Sequence, residues 1–366
     1  MKVREICTIL DQLAPRELAF SWDKVGLQIG DPDLEAGRVL VALTVEAETL
    51  EAARRRDAQM IVAHHPLIWS PLETLRRDDP HAALCLALAE SGIACYAAHT
   101  NLDLVPGGVN HRLAELLELR EVRPLFHAAH AGQVKLVTFV PATHLDAVRS
   151  AVCDAGAGRI GDYTCCTFTT PGTGTFKPGQ ASDPFSGQKG TLNEEPELRF
   201  ETLVPKARLG TVLQAMIAAH PYEEPAYDIV SLENTDPLIG LGATGSLDKA
   251  VSLGEFAGYV RARLRAGHVR VIGSLKRNVR HVAVIGGSGG GDLERIPDDV
   301  DVVVTGDVKY HDGLSAKRRG LAVIDAGHEV TERPIVQVLA KYLRKQCKGV
   351  RVDTYNEPDL FKVISE

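Results

Sequence analysis

The residues best suited to chemistry are His64 and His65, adjacent imidazoles followed by Pro66 in AHHPLIW. They follow residues 60–63, a short apolar run that reads as a buried strand. Successive side chains on a strand point to opposite faces, so a regular strand could not aim both rings at one point. Pro66 has no N–H and ends ladder pairing. The pair therefore stands just past a strand end, where open α/β sheets bind ligands. Two readings are open there: ordinary polar loop residues, or metal ligands, one to each of two ions or both to one.

Two further polar clusters follow strand ends, His99-Thr100-Asn101-Leu102-Asp103 and His328 with Glu332. On a helix, residues four apart share a face, so His328 and Glu332 can grip one ion, or the carboxylate can bridge two. Asp103 adds a second carboxylate. Three imidazoles and two carboxylates suit zinc, iron, manganese or nickel better than magnesium or calcium. No cysteine stands in any cluster, which argues against a closed structural zinc site. His99, Thr100 and Asn101 are placed to orient a ligand rather than to bind metal. His311, in YHDG after another strand end, is a candidate proton donor or phosphate contact, or a plain surface histidine; Lys309 and Asp307 share that status. His99 and His311 are the candidates for handling protons. The glycine run 286–291 could cradle an anion through its N–H groups, although it fits neither nucleotide-binding fingerprint. His81, His111, His127, His130, His144, His268 and His281 have no partner at informative spacing and are expected to be structural or exposed.

The elements that must position these groups alternate. A helix is expected over 1–20, a turn-rich segment over SWDKVGLQIGDPD, and then a strand 38–45, helix 46–56, strand 60–63, helix 80–90 and strand 93–98. Near the C-terminus, strands are expected at 281–285, 300–305 and 321–325, then a helix over about 329–345. Such alternation implies a parallel or mostly parallel sheet, with the two end segments pairing into one α/β domain. Between them, strand 133–140, helix 145–155, strand 163–170, a long loop 171–196, strand 197–204, helix 207–219 and strand 226–232 give the order β-α-β-β-α-β of a ferredoxin-like unit. The expected organisation is a discontinuous domain, 1–124 plus 236–366, interrupted by an insert domain, 125–235. Trp22 reads as a packing anchor. Cys165 and Cys166, neighbours on an expected strand, read as packing residues.

The 366 residues suffice for two domains, and an apolar content of 45% with 24% charged residues is that of a globular protein. The formal net charge of -7 and the lack of a long basic run disfavour nucleic acid as a partner. The charged N-terminus lacks the apolar stretch of a signal peptide, and no stretch approaches a membrane span. Seven scattered cysteines without a C-x-x-C fit a reduced, cytoplasmic location.

SWDKVGLQIGDP, VAHHPLIW, AAHTNLDLVPGGVN, VTGDVKYHDGLSA and VIDAGHEVTERP resemble, in order, the motifs of the GTP cyclohydrolase I type 2 (NIF-three-like) dinuclear-metal family. HPYEEPAYDI at 220–229 resembles the end of the insert found in its longer bacterial members. The resemblance implies His64, His65, Asp103, His328 and Glu332 as ligands of two divalent ions per chain, with Glu332 bridging. It implies a toroidal homohexamer capped by the insert. Lys24 stands where the family usually has Asn, and Thr44 where it usually has Asp. Two functions compete: a metal-dependent hydrolase acting on a small phosphorylated or nucleotide-like substrate, and a non-catalytic metal-binding ring serving as scaffold or regulator. GTP cyclohydrolase activity itself follows from the family label and not from site chemistry.

Overall fold

The structure is a computed structural model that describes residues 1–128 and 131–362, so His130 lies outside the described residues. It divides into two compact units, Met1–His127 with Pro237–Glu366, and Ala128–Asp236. Fifteen strands are numbered in chain order: β1 Gly26–Ile29, β2 Arg38–Ala42, β3 Met60–Ala63, β4 Ala94–Ala97, β5 Arg120–His127, β6 Gly132–Val140, β7 Thr167–Phe176, β8 Asn193–Pro205, β9 Tyr227–Thr235, β10 Gly240–Ser252, β11 Arg270–Ile272, β12 Asn278–Val284, β13 Val302–Thr305, β14 Ala322–Asp325 and β15 Arg351–Thr354. Among the described residues, no helix is long and apolar enough to cross a membrane.

The discontinuous unit contains two mixed sheets, ordered β1-β4-β3-β2-β15 and β11-β14-β13-β12-β10-β5. The centre of each is parallel, β2, β3 and β4 in one and β12, β13 and β14 in the other. Antiparallel strands flank these centres: β1 in the first sheet, and β11, β10 and β5 in the second. Each end of the chain builds most of one sheet and lends an edge strand to the other. β15 pairs with β2, and β5 pairs with β10. The exchange explains why the ends fold as one unit. Strands β3, β4, β13 and β14 are buried along their whole length, as strands covered on both faces must be.

Several local expectations are corrected. The N-terminal helix runs only Val3–Leu13; Pro15 interrupts it, and a 3-10 turn follows at Arg16–Leu18. Part of the expected turn after Trp22 is β1. The C-terminal helix is two, His328–Glu332 and Pro334–Gln346, with Pro334 opening the second, a position where its missing N–H costs nothing. The expected loop 171–196 is shorter, 177–192, because its two ends extend β7 and β8, which pair in unbroken register from Thr167↔Thr202 to Phe176↔Asn193. Pro171 is tolerated because β7 is an edge strand.

The second unit follows the element order β6, helix Leu145–Asp154, β7, β8, helix Leu209–Ala219, β9. Its antiparallel sheet is ordered β7-β8-β6-β9. Val134, Leu136, Val148, Val152, Phe200 and Met216 belong to its core. Here the cysteine expectation fails, because Cys165 forms a disulfide with Cys153, while Cys166 is free. Cys165 precedes β7 and has left-handed backbone, φ 56°, so strand alternation does not govern its side chain. Five cysteines, Cys7, Cys85, Cys95, Cys166 and Cys347, remain thiols.

The bridge closes a span of 12 residues, and a cross-link of that length contributes about 3 kcal/mol by restricting the unfolded chain. Reducing it, or replacing both cysteines by alanine, should lower the urea midpoint of the Ala128–Asp236 unit in the full-length protein. Identical midpoints for oxidised and reduced protein would contradict a stabilising role.

Candidate metal centre

The carboxyl ends of strands from both sheets deliver one polar cluster. His64 and His65 follow β3, His99 follows β4 by two residues, and His328 follows β14 by three. Asp103 lies on the short helix Thr100–Leu104, whose N-cap is His99, and Glu332 ends the helix that His328 begins. One donor atom from each of His64, His65 and His99 lies within 4.8 Å of the other two, and the same holds for His65, His328 and Glu332.

Glu332, 4% exposed, uses its two oxygens differently. Oε2 lies 2.8 Å from His65 Nε2 and 3.1 Å from His328 Nε2. Oε1 faces His64 Nε2 at 3.6 Å, too long for a hydrogen bond. Asp103 Oδ1 lies 3.7 Å from the same nitrogen. Both His64 Nε2 and Asp103 Oδ1 are buried without a hydrogen-bond partner. Such orphans are rare and costly, and a cation between them would satisfy both. The donor set of imidazole nitrogen and carboxylate oxygen fits a first-row divalent ion.

All four rings are held from behind. Nδ1 of His64 meets the Ala98 carbonyl at 2.8 Å, Nδ1 of His65 the Thr44 hydroxyl at 2.8 Å, Nδ1 of His99 the Asp23 carboxylate at 3.0 Å, and Nδ1 of His328 the Asp307 carboxylate at 2.7 Å. This leaves Nε2 as the inward donor and is the pattern of ligating histidines, whose other nitrogen is fixed by a second partner. His99 thus differs from expectation: it is itself an oriented ring, and Asp23 is what orients it. Asp23 also accepts from the Thr100 N–H and hydroxyl, and the Asn101 side chain accepts from the His99 N–H. Asp23 and the ring-fixing role of Asp307 were not read from the sequence; their positions inside SWDKVG and TGDVKY were the only signal. Thr44 takes a direct part, whereas Lys24 contributes its backbone N–H to Asp23.

Burial alone would strip the proton from His64, but the Glu332 and Asp103 carboxylates outweigh it and raise the ring to about 9. A hydrogen bond to Glu332 raises His328 to about 9 against its burial, with Asp307 adding to the effect. Burial and the His64 charge lower His65 despite Glu332. Glu332 is held well below the usual carboxylate range by His328, His64 and His65, which overcome its burial. Burial raises Asp103 to about 6, and the nearby Glu332 charge pushes the same way. For Asp23, burial is outweighed by hydrogen bonds from His99 and Thr100, and its carboxyl falls to about 2.

Three N–H groups of the glycine run are already engaged within the protein. The N–H groups of Gly286, Gly287 and Gly289 donate to Asn110, Thr331 and Thr305. Gly287, at φ 68°, lies so close to Glu332 that a Cβ would stand 2.2 Å from Oε1. His311 is exposed at the start of helix Tyr310–Arg318 with its ring against Tyr310, outside the donor groups. Trp22 is not a buried anchor: it is 54% exposed, beside Trp69 at 50%.

A family model described as Duf34/NIF3 (NGG1p interacting factor 3) matches residues 1–359. A GTP cyclohydrolase 1 type 2 homolog of Halalkalibacterium halodurans is 40% identical over 350 residues, 95% of this chain and 94% of that protein. One from Bacillus subtilis is 39% identical over 345 residues, 94% of this chain and 92% of that protein. The crystal structure of a Bacillus cereus protein related to NIF3 superposes with a TM-score of 0.86 at 38% identity, covering 100% of this chain and 99% of that one. With its length matched, its motifs in order and its fold shared, the chain belongs to the Duf34/NIF3 family.

Proposed function

We propose that this centre holds two divalent metal ions and serves a metal-dependent hydrolase acting on a small phosphorylated or nucleotide-like molecule. The observation that carries the reading is the pair of orphaned atoms, His64 Nε2 and Asp103 Oδ1, facing one another beside a carboxylate whose second oxygen serves two more imidazoles. His64, Asp103 and Glu332 Oε1 would hold one ion, and His65, His328 and Glu332 Oε2 the other. Zinc, iron, manganese or nickel fits these donors. Two ions so held supply Lewis acidity and a water nucleophile at neutral pH.

The protein's own groups have separate tasks. Asp23 accepts from Nδ1–H of His99, which leaves Nε2 as the ring atom free to exchange a proton near the cluster. We assign the proton-handling role to His99 and none to His311. The relatives' name, GTP cyclohydrolase 1 type 2 homolog, is compatible with a nucleotide-like substrate. The motif resemblance supports a homohexameric ring. The strand order of the second unit and its two helices support a ferredoxin-like insert within a two-segment α/β domain.

Metal-reconstituted protein should contain close to two ions per chain, and His64→Ala or Glu332→Ala should lower that content. One ion or none in the wild type would end the dinuclear reading. At about pH 7.5, His64 and His328 carry protons in metal-free protein, because both are raised to about 9. Loading should therefore release at least about two protons per chain, with any ionised metal-bound water adding to them, measurable by calorimetry in buffers of different ionisation enthalpy. The two raised groups also set a pH slope. Their stabilising contribution to metal-free protein is full below the unfolded value of 6.5 and is lost as the pH rises through about 9. The melting temperature of metal-free protein should fall over that window, and metal should flatten the fall. Parallel melting curves for both forms would contradict this. Catalysis is tested by a panel of nucleotides and phosphoesters with and without metal; a loaded protein that turns over none of them is a metal-binding scaffold instead.

A further inference from the structure

The cluster has an aromatic wall. Trp22 and Trp69 touch one another, with ring centroids 5.6 Å apart and planes at 47°. Both meet His99 edge to face, at 6.3 Å and 5.4 Å. His99 in turn lies 5.1 Å from the His64 ring and 5.8 Å from that of His65. The His99 ring therefore meets both the indoles and the His64–His65 pair. These are the only two tryptophans of the chain, and both are about half exposed.

Tryptophan is highly buried on average, so two exposed indoles side by side at a polar centre are unusual. They are also held in place. Phe20 stacks on one face of Trp22 at 5.7 Å and 20°. The next residue, Asp23, is clamped by His99 and Thr100. Gln28 accepts from the N–H groups of Leu67 and Ile68 and donates to the Ile68 carbonyl, fixing the chain that leads into Trp69. Rigid aromatic surface binds at low entropic cost. The indoles already touch, so a third ring does not pass between them and must lie on their open faces.

We infer that Trp22 and Trp69 form a stacking surface for a planar heteroaromatic ring, and that the ligand of this centre joins such a ring to an anionic oxygen group directed at the His64–His65–Glu332 cluster. The second half rests on the metal reading above; the stacking surface does not. A purine or similar base satisfies the first requirement through its π face, whatever its edge groups. The phosphate of a nucleotide, or another oxyanion, satisfies the second.

The test is a titration of full-length protein, metal-loaded and metal-free, followed by indole fluorescence. With no other tryptophan in the chain, the signal reports on this surface alone. The probes are guanosine monophosphate, adenosine (ring without anion) and ribose 5-phosphate (anion without ring). In loaded protein, guanosine monophosphate should bind at least about tenfold more tightly than either control, since one stacked base is worth a factor of that order. Trp69→Ala and Trp22→Ala, each of which keeps one reporter, should weaken it by about tenfold with metal content unchanged. Trp69→Phe, which retains an aromatic face, should recover most of the loss and guards against misfolding. Equal binding of guanosine monophosphate and ribose 5-phosphate, or alanine variants that bind as the wild type does, would overturn the stacking surface. A failed metal reading shows separately: no ion by elemental analysis, with adenosine still quenching metal-free protein through the indoles.

Discussion

Glu332 is a buried carboxylate facing three imidazoles, and much of the discontinuous unit serves that contact. A charge removed from water is tolerable only when paired, and here the pairing draws partners from both ends of the chain. His64 and His65 come from the first segment, and His328 from the last. The packing around Glu332 explains its neighbours. Gly287 must lack a side chain because Oε1 occupies the space, and its positive φ suits glycine. Thr331 accepts from the Gly287 N–H, and Asn110 accepts from that of Gly286 while donating to the Asp103 carbonyl. The glycine turn, the threonine and the asparagine thus hold two chain segments against one carboxylate.

The partners behind the rings tune the cluster unevenly. His328 is raised first by its hydrogen bond to Glu332, and Asp307 behind it adds to the effect; His65 leans on a neutral hydroxyl, Thr44, and its ring is lowered by burial. His64 has only a backbone carbonyl behind it, so its raised value comes from the carboxylates in front. In metal-free protein those protons hold together a cluster that a cation would hold more strongly, which links metal affinity to pH. Because the group behind His65 is the neutral Thr44 hydroxyl, no charge on that side offsets the burial of the ring.

Much of this was legible in the sequence, because it follows from short-range rules. A buried apolar run ending in His-His-Pro announces a strand end, and a His four residues before a Glu announces a shared helix face. The segments Met60–Ala63, Pro80–Glu90 and Val302–Thr305 follow from such patterns. What was missed depends on partners distant in the chain. The exchange of β5 and β15 between sheets leaves no local mark. Cys153 and Cys165 are joined by a disulfide, and the left-handed backbone at Cys165 is something that strand alternation cannot foresee. Asp23 acts on His99 from 76 residues away, and Trp22 looks like core until its surroundings are seen. The glycine run packs closely, with Gly287 against Glu332, a use that its spacing did not announce.

The central claim is that one carboxylate divides its oxygens between two ions. It is tested most directly by anomalous diffraction from metal-reconstituted crystals at the metal's absorption edge. Two peaks are expected, one touching His64 Nε2 and Asp103 Oδ1, the other touching Nε2 of His65 and His328, with Glu332 reaching both. A single peak, or two peaks that leave His64 Nε2 and Asp103 Oδ1 without a ligand, would contradict it.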